Sequence, residues 1–169
     1  MQFAIVLGFD KIKQIDEAVE RIAKEVNPFF NESGYFPHVT LIVYEADSVE
    51  SVKKFYAIRP FRLQIKTKGV GGFKGEKSTV FIDVEKDKDL AKLHDKYLRI
   101  TDIELSEYST IENYHPHITL ATDLTEAESI AARQIAESIR VPKAITPTHV
   151  SLIDATSKPY KVIGTVVIR

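Results

Sequence analysis

Two histidine–threonine pairs in this chain have the residue types and the spacing that acid–base chemistry requires. Residues 35–41 read Tyr-Phe-Pro-His-Val-Thr-Leu, and residues 114–120, 79 positions later, read Tyr-His-Pro-His-Ile-Thr-Leu. Five of the seven positions are identical, and a sixth exchanges valine for isoleucine. One His-x-Thr could belong to any strand, whereas a matched second copy indicates two walls that face one substrate.

The spacing places each pair on one face of a strand. Side chains alternate across a strand, so His38 and Thr40 share a face, as do His117 and Thr119. Imidazole titrates near neutral pH, so one imidazole can activate a water while another protonates a departing sugar oxygen across a phosphorus atom. Threonine hydroxyls can donate to the phosphate oxygens, where charge grows. This chemistry requires no metal, and we predict no cofactor.

The elements that position these strands follow from the apolar periodicity of the first half. Strict alternation along the strand of the first motif places Val43 on the face opposite His38 and Thr40, toward the helices. We predict strands at 2–9, 37–44, 61–68 and 78–84, helices at 12–26 and 48–56, and a glycine-rich turn region at 69–75.

The second half repeats the order of the first. Strict alternation here predicts that Ala121 shares the face of His117. The helix at 125–139 begins with the capping-box pattern, Thr125 followed three residues later by Glu128. The other predicted elements are a helix marked by Leu90, Leu93, Tyr97 and Leu98, and strands at 116–121, 148–154 and 160–168.

The repeated order predicts an α+β protein with one domain, residues 1–169. It would have two similar lobes, approximately 1–84 and 85–169, with strand exchange between them allowed. We expect a bilobal, pseudo-twofold-symmetric fold in which two antiparallel-leaning sheets carry helices on their outer faces and enclose a central groove.

The composition narrows the class of protein. The 169 residues are 44% hydrophobic, contain no cysteine and carry a formal net charge of -1. A disulfide scaffold and a cysteine-ligated metal are therefore excluded, and no apolar run has the length of a membrane span. The near-neutral net charge argues against a protein that follows long nucleic acid. The basic stretch at residues 53–77, with eight lysines and arginines and one acid, indicates a local anion site instead. We expect a cytoplasmic protein without a membrane association, and a monomer.

The paired Pro-His-[Val/Ile]-Thr-Leu motifs resemble those of the 2H phosphoesterase superfamily, in its 2′-5′ RNA ligase-like branch. The resemblance implies a bilobal fold and metal-independent phosphodiesterase activity on 2′,3′-cyclic phosphates or 2′-5′ bonds of nucleotides or short RNA. It also implies ATP-independent 2′-5′ RNA ligation as the reverse reaction. The motif assigns catalytic roles to His38, Thr40, His117 and Thr119 and does not decide which histidine is the acid.

Further side chains are candidates for substrate binding. Arg62 and Lys66 share a strand face and would grip phosphates if that face lines the groove; otherwise it is a solvated sheet face. Tyr35 and Tyr114 precede the motifs and could stack on bases or serve as buried anchors. His115 would contact substrate at the rim of the groove, or form a metal-binding pair with the second motif histidine.

Two histidines outside the motifs have simpler interpretations. His149 lies in a faint third copy of the motif, and we expect a strand residue near the groove. His94 lies among charged residues on a predicted helix, and we expect it to be solvated.

Two other functions remain open. A binding module could keep the groove and hold RNA ends or nucleotides without turnover. A phosphodiesterase of small metabolites would be equally compatible with the net charge. Turnover of cyclic nucleotides, 2′-5′ oligomers and RNA with cyclic-phosphate ends distinguishes these alternatives.

Overall fold

A computed structural model gives the structure of this chain and describes residues 1–48, 59–100 and 109–168. Six of the strands within these ranges lie close to predicted ones, and 78–84 matches at both ends. The strand predicted at 61–68 lies at 65–73 instead, and the two-residue strand at 144–145 was not predicted. Their bounds are β1 Gln2–Gly8, β2 Val39–Glu45, β3 Ile65–Phe73, β4 Ser78–Val84, β5 His117–Leu124, β6 Ala144–Ile145, β7 His149–Asp154 and β8 Lys161–Val167.

The helices confirm three predictions. The predicted helix at 48–56 falls almost entirely outside the described ranges. The second helix was not predicted, because five residues are too few to show a helical period. The bounds are α1 Lys13–Glu25, α2 Phe29–Ser33, α3 Lys88–Ile100 and α4 Glu126–Ser138.

One antiparallel sheet connects both halves of the chain. Its strand order is β6-β3-β4-β5-β2-β1-β7-β8. In the middle of this order, β2 and β5 meet at one residue pair, Val39 and Ile118. Each group of four strands on either side takes two strands from the first half of the chain and two from the second. The predicted α+β class is confirmed, and the twofold symmetry of the lobes stays a prediction.

The core lies on one face of the sheet. Alternate residues of β1 (Phe3, Ile5 and Leu7) are buried there with residues of α1, α3 and α4 in a single apolar cluster. Burying each large apolar side chain contributes about 1.5–3 kcal/mol, so this face carries most of the stability. The other face of the sheet is therefore the one available to a substrate. Helix residues in the cluster are Ile15, Ala18, Ile22, Leu90, Tyr97, Ala132, Ile135 and Ala136.

Most of the glycine-rich stretch is a strand, so its prediction as a turn region was wrong for residues 69–73; the turn begins only after them. β3 begins at Ile65, later than predicted, and continues through the glycines to Phe73. A Cβ atom on Gly71 would lie 2.4 Å from Cε2 of Phe81 on the neighbouring strand. Glycine in a strand often marks such a close approach. The space it leaves brings the Phe81 ring onto the open face of the sheet.

The start of α4 confirms the predicted capping box. The Thr125 hydroxyl accepts a hydrogen bond from the backbone N–H of Glu128, and the Glu128 carboxylate accepts one from the backbone N–H of Thr125. Both groups would otherwise be unpaired donors at the first turn. No helix within the described ranges is long and apolar enough to cross a bilayer.

Candidate active site

A β-bulge ends the alternation of each motif at its last leucine. In the β1–β2 ladder, Ile5 pairs with Ile42 and Val6 with Thr40, so Leu41 is the extra residue. A bulge of this kind moves the following side chains to the opposite face. Val43 therefore packs with Ala4 and Val6 on the open face. The prediction that Val43 points toward the helices was wrong.

The second motif has the same bulge at the equivalent position. Val80 pairs with Ala121 and Phe81 with Thr119, which leaves Leu120 unpaired in the ladder. Ala121 consequently belongs to the main core, and the prediction that it shares the face of the motif histidine was wrong. In both strands the open face carries the histidine and threonine of the motif, and beyond the bulge the alternation resumes with a shift of one residue.

The two motifs cross at the pair formed by Val39 and Ile118. In an antiparallel pair, the flanking positions then lie opposite each other: His38 opposite Thr119, and Thr40 opposite His117. The two histidines are then diagonal neighbours across the strand pair, and such neighbours have Cβ atoms roughly 7–8 Å apart. The structure thus brings together all four residues predicted to be catalytic, and the two imidazoles can reach a phosphate from two sides.

Each motif histidine is oriented by the same backbone contact. Nδ1 of His38 lies 2.7 Å from the carbonyl oxygen of Phe36, and Nδ1 of His117 lies 2.7 Å from that of His115. A carbonyl oxygen only accepts hydrogen bonds, so Nδ1 carries the proton in both rings. Nε2 of each neutral imidazole is therefore the unprotonated nitrogen, which can accept a proton as a base.

Burial favours the neutral form of both imidazoles. Burial, with a smaller contribution from the charge of His117, lowers the pKa of His38 to about 4, while the hydrogen bond to the Phe36 carbonyl opposes this shift. Burial also lowers the pKa of His117, while its hydrogen bond to His115 and the charge of Asp83 oppose the shift. A negatively charged substrate would raise both values, because it stabilises the imidazolium form.

The predicted tyrosines have different surroundings despite their equivalent motif positions. The Tyr35 hydroxyl lies 3.3 Å from Nε2 of His38 and also hydrogen-bonds to Thr119. The Tyr114 hydroxyl instead donates to the backbone carbonyl of Thr40 at 3.2 Å. Tyr35 therefore touches the reacting groups, whereas the hydroxyl of Tyr114 holds the bulged strand.

A buried histidine completes the support of the bulge in β2. Nδ1 of His94 donates to the carbonyl oxygen of Leu41 at 2.7 Å, and its ring stacks on Tyr114 with centroids 3.8 Å apart. His94 is 1% exposed. The prediction that it is solvated was wrong, because the bulge exposes carbonyl groups that need buried donors.

A cavity of about 620 Å³ opens beside the crossing. Its volume lies within the roughly 300–1,000 Å³ usual for small-ligand sites. The exposed ring of Phe73 makes edge contacts with the rings of His115 and His117 and forms one wall. Sequence reasoning did not assign Phe73 to the site, whereas Lys74 belongs to the basic stretch that predicted a local anion site. The lining residues are Thr40, Leu41, Val43, Phe73, Lys74, Ser109, Asn113, Tyr114, His115 and His117.

The side chain of His115 reaches back to the neighbouring strand. Its Nε2 lies 3.0 Å from Oδ1 of Asp83, and half of the side chain is exposed at the cavity wall. Among the described residues, no group of three histidine or carboxylate side chains has the arrangement to hold a metal ion. This placement fits the predicted rim contact better than the metal pair.

Arg62 and Lys66 lie apart from the histidines. They line a separate depression together with Asp87 and Asp89, and none of the four motif residues borders it. Their placement does not support a role in the same site. Of the basic residues in the 59–77 stretch, Lys74 is the one that lines the large cavity.

His149 lies on the open face two strands away from the first motif. It pairs with Gly8 of β1, and a Cβ atom on Gly8 would lie 2.0 Å from Nε2 of His149. Nδ1 of His149 is 2.8 Å from the Thr148 hydroxyl. The predicted strand position is confirmed.

Comparison with known proteins identifies relatives of the whole chain. The profile of the 2′-5′ RNA ligase superfamily matches residues 6–159, which include both motifs. Two crystal structures of E. coli LigT, complexed with ATP and with NADP+, share 15% and 16% identity with TM-scores of 0.57 and 0.58. Each covers 99% of this chain with 97% of its own.

A second group of similar structures comes from Kluyveromyces marxianus Usb1. Its structure covers 99% of this chain with 97% of its own, at 8% identity and a TM-score of 0.52. A complex of the same protein with uridine monophosphate has 10% identity and a TM-score of 0.50. At these identities the structures show a shared fold alone. No curated protein matches the sequence significantly.

Proposed function

Because the chain belongs to the 2′-5′ RNA ligase superfamily, we propose that it is a metal-independent phosphodiesterase. Its substrates would be 2′,3′-cyclic phosphates or 2′-5′ phosphodiester bonds of nucleotides or short RNA. The resemblance to the 2H phosphoesterases is confirmed by the profile match and by the similar folds of LigT and Usb1. The observation that carries the proposal is the crossing at Val39 and Ile118, where each motif histidine lies opposite the threonine of the other motif.

The crossing supplies the groups that hydrolysis of a phosphodiester requires. One imidazole accepts a proton from the attacking water through Nε2, and the other protonates the departing sugar oxygen. The hydroxyls of Thr40 and Thr119 donate to the non-bridging oxygens, which gain charge in the transition state. The reverse sequence of the same proton transfers would join a cyclic phosphate to a hydroxyl without ATP.

The experiment is a turnover screen with single histidine variants. Wild type, His38→Asn and His117→Asn are incubated with 2′,3′-cyclic nucleotides, 2′-5′-linked dinucleotides and short RNA with a cyclic-phosphate end. Each variant should lose at least about 100-fold in kcat/KM, as removal of an acid or base usually does. Glu20→Gln, at an exposed position of α1, is the control, and urea unfolding verifies that each variant is folded. Turnover retained in either histidine variant contradicts the proposal.

Two further measurements belong to the same screen. Activity should persist in EDTA, because the reaction uses only imidazole and hydroxyl groups. The pH dependence of kcat/KM should be bell-shaped, with two macroscopic pKa values that belong to the histidine pair. Loss of activity in EDTA that zinc restores would instead favour a metal at His115 and His117.

A non-catalytic binding module of the same fold is the alternative. It is favoured by the state of His38, whose Nε2 contacts the Tyr35 hydroxyl and whose pKa of about 4 keeps it neutral. A binder could retain such a group without proton transfer. Binding of cyclic nucleotides or RNA ends, measured by calorimetry, without any product would support the module.

A further inference from the structure

A carboxylate stands beside the second motif histidine and has no counterpart beside the first. Asp83 of β4 pairs with His117 in the β4–β5 ladder, so both side chains lie on the open face of the sheet. In the first half of the chain, the β1 residue that continues the ladder toward His38 is Gly8, which has no side chain. The duplication therefore does not account for Asp83, and the role of this carboxylate belongs to one half of the molecule only.

One oxygen of the Asp83 carboxylate is buried without an aligned donor. No hydrogen bond within the described ranges satisfies its Oδ1 atom. Nε2 of His115 lies 3.0 Å from this oxygen, which is close enough for a hydrogen bond that the orientation of the ring does not complete. A buried carboxylate oxygen without a donor is unfavourable, and a small rotation of the half-exposed imidazole would supply one.

The imidazole of His115 reaches from this carboxylate into the 620 Å³ cavity, which it lines. Among the described residues, the polar contact of its side chain is the one with Asp83, so Nδ1 is available to a ligand. A protonated imidazole donates from both ring nitrogens. It can therefore bind the carboxylate through Nε2 and an anion in the cavity through Nδ1 at the same time.

A second cation borders the same cavity. Lys74 follows the end of β3 and lines the cavity together with His115. The neighbouring Lys77 pairs with Asp123 at 3.7 Å, whereas Lys74 forms no ion pair with the described residues. An anion in this part of the cavity would thus meet the ammonium group of Lys74 and the imidazole of His115.

The distance from His115 to the reacting groups suits a second phosphate of one nucleotide. His115 and His117 are two positions apart, which corresponds to roughly 6.6 Å along a strand. The centroids of their rings are 6.1 Å apart. Neighbouring phosphates of a nucleotide chain are separated by one ribose, which spans a similar distance. A phosphate that reacts beside His117 therefore places the phosphate on the 5′ carbon of the same ribose within reach of His115.

We propose that Asp83, His115 and Lys74 form a subsite for a second, non-reacting phosphate, the 5′-phosphate of the nucleotide whose ribose carries the reacting group. His115 and Lys74 contact this phosphate, and Asp83 is a positioning residue that orients the protonated ring of His115. The phosphate and the carboxylate favour the same form of the ring, because each stabilises its positive charge. The inference rests on the proposed function and selects among its substrates: 5′-phosphorylated nucleotides and RNA ends are favoured over nucleosides that carry a cyclic phosphate alone.

The first test compares uridine 2′,3′-cyclic phosphate with the same compound carrying an additional 5′-phosphate. The kcat/KM of the wild type should be at least about tenfold higher for the 5′-phosphorylated compound, mainly through KM, since a hydrogen bond to a charged group commonly contributes this much. His115→Gln, Asp83→Asn and Lys74→Gln should each lower this ratio toward one. Lys66→Gln, which removes a basic side chain from the separate depression, is the matched control and should keep the ratio. Equal kcat/KM for the two compounds in the wild type would overturn the inference and leave the proposed function intact.

The second test measures binding, so its result does not depend on turnover. Calorimetry gives the Kd of uridine 3′-monophosphate and of uridine 3′,5′-bisphosphate for the same variants, and urea unfolding verifies that each variant is folded. The bisphosphate should bind the wild type at least about tenfold more tightly, and His115→Gln and Asp83→Asn should lose this advantage. An advantage that both variants keep would place the second phosphate elsewhere and overturn the proposal. Tighter binding of the bisphosphate without turnover of any cyclic compound would instead reject the proposed function and keep the subsite.

Discussion

Lowering the pH should destabilise the wild-type protein more than a variant without the His38 imidazole. Burial lowers the pKa of this group from 6.5 to about 4 in the folded protein. The unfolded chain therefore binds the proton over the interval in which the folded chain does not. Because the unfolded chain binds more protons than the folded chain in this interval, the contribution of His38 to the free energy of unfolding is greatest above pH 6.5. It falls as the pH drops toward 4.

The size of the effect follows from the two pKa values. A difference of one between the pKa values of the folded and the unfolded chain corresponds to about 1.4 kcal/mol in the free energy of unfolding. At pH 5 the imidazole of the unfolded chain is almost fully protonated, while that of the folded chain is almost fully neutral. The free energy of unfolding should then be lower by about 2 kcal/mol than at pH 7, from this group alone.

Urea unfolding of wild type and His38→Asn at pH 7 and pH 5 measures this contribution. Asparagine places an amide donor near the position of Nδ1, so it can retain the hydrogen bond to the Phe36 carbonyl, and it does not titrate. The other buried histidines, His94 and His117, are present in both proteins and largely cancel in the difference. The wild type should lose about 2 kcal/mol more than the variant between the two pH values. Equal losses would show that the folded protein does not hold His38 neutral.

Two substitutions test the contacts that hold the motif strands in position. Tyr114→Phe removes the donor to the Thr40 carbonyl and should lower the free energy of unfolding by about 1–3 kcal/mol in urea; an unchanged value would mean that this hydroxyl does not hold the bulged strand. Gly71→Val places atoms against the Phe81 ring and should destabilise by about 1–3 kcal/mol, whereas the control Gly75→Ala, in the turn after β3, should stay within about 0.5 kcal/mol of wild type. Similar values for the two glycine variants would contradict the close approach.

The sequence predicted the strands of the motifs and the faces of their reacting residues, but not the faces beyond them. Alternation holds from His38 to Thr40 because no bulge interrupts the extended chain between these residues. It fails at Leu41, since a bulge depends on how two strands twist against each other and has no signal in the spacing of apolar residues. The error recurs at Leu120 for the same reason. Val43 was predicted on the helix side but lies on the open face, and Ala121 was predicted on the open face but lies in the main core.

The basic stretch shows a second limit of the sequence. Counting charges along the chain predicted an anion site that includes Arg62 and Lys66, but the fold distributes these charges among different partners. Asp87 and Asp89 share the depression with them, and Lys68 lies 4.0 Å from Asp83. Because an ion pair depends on residues distant in sequence, local composition cannot predict which basic side chain is available to bind a phosphate.

The two motif tyrosines show which part of the site the duplication determines and which part it does not. The repeat reproduces the strand, the bulge and the Nδ1 contact at both histidines, so it fixes the reacting groups. Tyr35, however, follows α2 and the left-handed Gly34, and it meets the ring of Tyr160 from the far end of the chain. Tyr114 follows α3 in the chain and stacks on His94 of that helix. The flanking elements differ between the halves, so tyrosines at equivalent motif positions have different contacts: the Tyr35 hydroxyl reaches His38, whereas the Tyr114 hydroxyl holds the backbone of the bulged strand.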